Sequence, residues 1–155
     1  MPRLELVRTT SDAPAAVERT EQLEAELVER YGPGGGASMP RRKADEYLAF
    51  VVALADGVPA ACGGVHRHDG DRAEVHRMYT RPSLRGNGYG AQVLAELERA
   101  AAEAGCTEMV LETGTLNPEA VALYQRVGYA RIPAFGPYTD TPHSLCFGRS
   151  LVAGG

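Results

Sequence analysis

The stretch from residue 47 to residue 82 constrains this chain most, because it reads as three consecutive antiparallel strands. Residues 47–55 (Tyr-Leu-Ala-Phe-Val-Val-Ala-Leu-Ala) are apolar, and the Asp56-Gly57 that follows is the strongest short hairpin signal in the sequence. Residues 58–66 form the second arm. His68-Asp69-Gly70-Asp71 turns the chain again, and residues 73–80 make a further strand ended by Arg81-Pro82. A meander of this kind has to bury a face, so helices must lie against it.

The flanking sequence supplies them. Residues 4–8 alternate enough for a first strand, and Thr10-Ser11-Asp12 brings N-cap chemistry with Pro14 tolerated in the first helical turn. Val17, Leu23, Leu27 and Val28 fall near one stripe of that helix, which Gly32-Pro33 stops near Tyr31. Residues 32–39 are Gly-rich without periodicity and read as a loop. Beyond the meander, Val93, Leu94, Leu97, Ala101 and Ala104 mark a helix closed by Gly105, and residues 107–111 a short buried strand. Asn117-Pro118-Glu119 caps and opens a third helix, carrying Val121, Leu123 and Val127 and ended by Gly128. Strands at 129–132 and 144–151 complete an α/β (α+β) order, with a mixed sheet covered by helices.

Composition narrows the class. At 155 residues, 44% hydrophobic and 23% charged, against a norm of about 100–200 residues per domain, one domain over residues 1–155 is expected. Cys62, Cys106 and Cys146 are odd in number, far apart and without CxxC, so they read as reduced core thiols and no metal is expected. No apolar run approaches the roughly 18 residues of a membrane span, and the N-terminus lacks an apolar leader core, so a cytoplasmic protein without membrane contact is expected. A net charge of −4 disfavours nucleic acid as a partner.

Function is sought in Arg85-Gly86-Asn87-Gly88-Tyr89-Gly90, which follows a strand and opens a helix. Free N–H groups there favour an anion, and glycines let the backbone approach it closely. There is no G-K-[ST], and the third glycine of G-x-G-x-x-G is missing. Arg85-x-x-Gly88-x-Gly90 resembles the R/Q-x-x-G-x-G/A pyrophosphate loop of the GNAT superfamily of acetyl-CoA-dependent N-acetyltransferases. The strand Glu74-Val-His-Arg-Met-Tyr-Thr80 before Arg81-Pro82 resembles the family's fourth strand. Glu112-Thr-Gly, with Asn117-Pro-Glu-Ala-Val-Ala-Leu-Tyr124 and Gly128-Tyr129, resembles its second cofactor-side motif. The resemblance covers roughly residues 47–151 and implies the GNAT fold, a mixed sheet of about six to seven strands with three to four helices on its faces.

The resemblance also implies roles. Met78, Tyr79 and Thr80 would bond the pantetheine arm of acetyl-CoA through main-chain groups, as an added strand would. Arg85, Gly86, Asn87, Gly88, Tyr89 and Gly90 would hold the pyrophosphate, and Asn117 would both cap its helix and contact CoA. Tyr124 matches the general acid; a phenol of reference pKa near 10 suits a thiol of about 8.5. Glu74 matches the carboxylate base of some members, with His76 and His66 behind it. A carboxylate of reference pKa about 4.3 needs burial or a water relay to take a proton from an ammonium. Alternation by two places Glu74, His76, Met78 and Thr80 on one face. Cys62 and Cys146 carry no nucleophile motif and read as structural.

The implied reaction is direct acetyl transfer to a primary amine of a small molecule or peptide, without a covalent intermediate. A non-catalytic CoA-binding sensor and an aminoacyl-tRNA-acetylating toxin are the competing readings, the latter drawing on the basic Arg41-Arg42-Lys43 but opposed by the acidic balance. The acceptor side would be lined by residues 31–43 and 133–142, with Phe135, Tyr138 and Asp140 shaping it. Family habit leaves a homodimer open.

Overall fold

Alternation at the N-terminus yields β1 (Leu4–Thr9), and the Thr10-Ser11-Asp12 turn starts α1 (Pro14–Tyr31), in a computed structural model that describes residues 3–31 and 46–151. The meander follows. β2 (Ala49–Ala55) turns into β3 (Val58–Asp69) through Asp56 and Gly57, whose φ of 50° and 80° are what a two-residue hairpin loop requires. Gly70 carries β3 into β4 (Arg72–Thr80). Then come α2 (Tyr89–Glu103), β5 (Glu108–Gly114), α3 (Pro118–Arg126), β6 (Ala130–Arg131) and β7 (Ser144–Ser150). Asn117 caps α3, its side chain accepting from the Ala120 N–H at 3.3 Å.

The seven strands form one mixed sheet in the order β1-β2-β3-β4-β5-β7-β6, antiparallel throughout except where β4 meets β5. Expected and observed elements agree in type and differ in extent. β5 runs on to Gly114 because it pairs along its whole length with β7, and β6 shrinks to two residues at the sheet edge. Val51, Ala53, Val65, Ala73 and Val75 pack on the α2 side with Val93, Leu94 and Leu97. The opposite face holds Phe50, Val52, Cys62 and Tyr79 under Ala16 of α1. All three cysteines are free and buried.

Two expectations require correction. Val17 is 38% exposed, while Ala16 and Arg19 are buried, so at its first turn α1 seats small Ala16 on the sheet and turns Val17 outward. The side chains of Leu23, Leu27 and Val28, and all of residues 32–45, lie outside the described residues. The second correction concerns β4. Cys62 pairs with Tyr79 and Gly64 with His76, so two β4 residues, Arg77 and Met78, stand opposite Gly63. Arg77 takes a left-handed φ of 62° to make this bulge. The extra residue reverses the alternation: Met78 packs with the α2-side core and Tyr79 with the α1-side cluster, so Glu74 and His76 do not share a face with Met78 and Thr80.

Candidate active site

β4 and β5 pair only through Arg72↔Glu108, Ala73↔Met109 and Glu74↔Val110. Past Glu74 they part: β4 stays with β3 to Thr80, and β5 stays with β7 to Gly114. The gap leaves the β5-facing main chain of residues 78–80 as an open strand edge, able to bond an amide-bearing chain. A cleft of about 670 Å³ occupies it, lined by Met78, Tyr79, Thr80, residues 84–91, Asn117, Leu123 and Tyr124.

The loop is shaped by its glycines. Gly86 and Gly88 have φ of 86° and 81°, a region side-chain-bearing residues adopt only with strain. Gly88 is also the N-cap of α2 and no side chain caps that end, which lines the cleft through residues 88–91. Gly90 lies within the first turn of α2, where an added Cβ would stand 3.3 Å from Leu123 and 3.4 Å from Thr80 Oγ1. Arg85 Nε donates to the Thr80 carbonyl at 3.0 Å and its guanidinium lies over the Tyr79 ring. Asn87, which also lines the cleft, donates to the Leu84 carbonyl at 2.9 Å and so fixes the loop.

Tyr124 projects from α3 and is buried against the rings of Tyr129 and Phe147. Burial, reinforced by the Glu112 carboxylate, pushes its phenol well above the ordinary tyrosine range. It therefore holds its proton at neutral pH, as a proton donor must. The Cys62 thiol is pushed up to about 12 by burial, which suits a core residue and not an acyl-accepting nucleophile.

On the other face of β4, side chains from separate elements converge. His76 Nε2 donates to Glu74 Oε2 at 2.7 Å, and the Tyr138 hydroxyl donates to the same oxygen at 2.8 Å. His66 Nε2 lies 3.3 Å from His76 Nε2 and 3.5 Å from Glu74 Oε1, and His68 Nδ1 lies 3.3 Å from that oxygen. Burial drives the Glu74 carboxyl up, but the His76 and Tyr138 hydrogen bonds and the nearby His66 together outweigh it, leaving Glu74 below its ordinary range. Glu112 on β5 is the counterexample: burial prevails over its bond from Ser144 and raises it.

Residues 16–129 match the Acetyltransferase (GNAT) family. The IAA acetyltransferase of Azospirillum brasilense is 31% identical over 153 residues, covering 97% of this chain and all of that protein. The chain belongs to the GNAT acetyltransferase family. It is an N-acetyltransferase enzyme by that membership. Its fold matches a Klebsiella pneumoniae structure described as an acyl-CoA N-acyltransferase, with a TM-score of 0.81 at 24% identity over 96% of this chain and 98% of that one. It also matches the Salmonella typhimurium protein yncA, solved with its cofactor acetyl-CoA, with a TM-score of 0.70 at 15% identity over 96% and 94%.

Within this GNAT chain, every residue expected at the cofactor lines one cleft, together with Tyr124. Glu74 lies off that lining, where β4 and β5 begin to part. Phe135 and Tyr138 are buried, Tyr138 against Glu74, while Asp140 is exposed. Glu112 and His68 carried no expected role. Glu112 had one signal, its place in the Glu112-Thr-Gly motif just past the strand read at 107–111, and it stands within β5; His68 was hidden in what read as a turn and stands instead at the end of β3, at a register shift. Among the described residues, no helix is long and apolar enough to cross a membrane.

Proposed function

We propose that this GNAT enzyme binds acetyl-CoA along the open edge of β4 and transfers the acetyl group directly to a primary amine of a small molecule or peptide. The observation that carries the reading is the parting of β4 from β5 with a glycine loop at one end of the gap and the Tyr124 phenol in its wall. The pantetheine amides pair with main-chain groups of residues 78–80, and the pyrophosphate sits against Gly86, Gly88 and the N-terminus of α2. The amine nitrogen attacks the thioester carbonyl carbon, the C–S bond breaks, and the departing thiolate takes the Tyr124 proton. The ammonium proton passes through water to Glu74, which the His76 and Tyr138 hydrogen bonds keep ionised and fixed in place, so that it acts as one link of a relay that ends in solvent.

A thiol-release screen with acetyl-CoA against amino acids, polyamines, aminoglycosides and peptide N-termini tests this reading. Turnover with at least one amine class, with mass addition of one acetyl group to the amine, is expected. Tight acetyl-CoA binding with no turnover across the panel would identify a CoA-binding module instead.

A further inference from the structure

We propose that His66, His76 and Glu74 form a binding site for one divalent transition-metal ion of the zinc type. The three side chains come from neighbouring positions of β3 and β4: His66 pairs with Glu74, and Gly64 with His76. One ligand atom from each lies within 4.8 Å of the others, and His66, Glu74 and His76 are only 1%, 2% and 8% exposed. Two neutral imidazoles and a carboxylate are a donor set that zinc takes with three protein ligands and one open position.

The spacing favours a tetrahedral ion. Zinc bonds of roughly 2.0–2.1 Å at tetrahedral angles put neighbouring ligand atoms about 3.3–3.4 Å apart. A facial octahedral set with right angles would bring them to about 3.0 Å. His66 Nε2 stands 3.3 Å from His76 Nε2 and 3.5 Å from Glu74 Oε1, close to the tetrahedral edge, while His76 Nε2 and Glu74 Oε2, hydrogen-bonded at 2.7 Å, have to separate as the ion enters. The orientation is set from outside the triad. His66 Nδ1 lies 3.0 Å from the Arg67 carbonyl. That oxygen only accepts, so Nδ1 carries the proton and the neutral ring turns the Nε2 lone pair inward. Tyr138 holds Glu74 Oε2, leaving Oε1 between His66 and His68 Nδ1, the latter 3.3 Å away at the site's outer side. On binding, the ion replaces the His76 Nε2 proton, which leaves to solvent.

Occupancy takes Glu74 out of proton transfer and so switches acetyl transfer off, a consequence that rests on the function proposed above; the site itself does not. The full chain, stripped of metal and free of acetyl-CoA, is titrated with Zn²⁺ by calorimetry and with Co²⁺ by visible spectroscopy. One ion per chain is expected, with Co²⁺ giving the intense absorption of a tetrahedral site. His66→Ala and His76→Ala should lose binding, and His143→Ala, at an exposed position, should keep it. Tyr138→Phe should bind about 10- to 100-fold more weakly, as for loss of an orienting partner. Should an alanine variant fail to fold, His76→Gln replaces it, and the rise in Tm with Zn²⁺ seen in the parent should vanish. Absence of saturable binding, or equal binding by His76→Gln, overturns the site. Since no acetyl-CoA is present, that failure is separate from failure of the amine screen.

Discussion

Residues 78–80 and residues 74–76 of β4 are consecutive stretches of one strand, yet they are built to different ends. The first offers main chain to an open gap, flanked by a loop whose glycines carry the geometry. The second buries a carboxylate and two imidazoles that satisfy one another, with Tyr138 reaching in from the loop before β7. The bulge at Arg77 separates them and sends Met78 and Tyr79 to faces opposite those that strict alternation would give. A backbone-built site tolerates most side-chain changes and fails where a glycine is lost. A side-chain-built site in a buried setting fails when any one member is removed, because its neighbours are left unsatisfied.

Four substitutions would break or sharpen that contrast. Glu74→Gln keeps the shape of the cluster but removes the base, and kcat should fall by about 10²- to 10⁴-fold with little change in KM for acetyl-CoA. Steady-state kinetics would check this, and an unchanged kcat would leave the cluster purely structural. Gly88→Val puts a branched residue at φ 81°, and the resulting ~1–3 kcal/mol of strain should weaken acetyl-CoA binding about 10- to 100-fold by calorimetry. By contrast, Met78→Leu should leave that affinity nearly unchanged if, as proposed, the cofactor is bonded there through the main chain. Asn117→Ala should cost about 1 kcal/mol of stability in a denaturant titration, the usual worth of a cap.

A smaller effect probes neither site and serves as a baseline. Arg8 ties β1 to α2 through Glu103 and Glu96. Glu103 is held below its ordinary range mainly by the Arg8 hydrogen bond, and Glu96 by Arg99 first and Arg8 next. Carboxylates depressed in the folded state contribute stability above their unfolded range and lose it as pH falls through the folded value. Arg8→Ala should therefore lower Tm slightly at neutral pH, and the difference should vanish in acid.

Much of the cleft was legible because its signals are local. Asp56-Gly57, Gly88 at the head of α2 and Asn117 at the head of α3 each specify a conformation that a few adjacent residues decide, and the structure places all three as read. The polar cluster was not legible as a unit. His66, Glu74 and His76 meet only because of the β3–β4 register, and Tyr138 joins them from 64 residues away. The face assignment of Met78 failed for the same reason, as one bulge residue cannot be seen from hydropathy. On α1, Val17 was misread because burial there depends on which residue fits the sheet, and small Ala16 fits.

The central claim is that the cleft hands a proton from Tyr124 to the departing thiolate. Tyr124→Phe removes the hydroxyl and keeps the ring packed against Tyr129 and Phe147. Measured with the best amine from the screen, kcat should drop by about 10²- to 10⁴-fold while acetyl-CoA affinity is retained. A kcat within threefold of the parent would contradict the account.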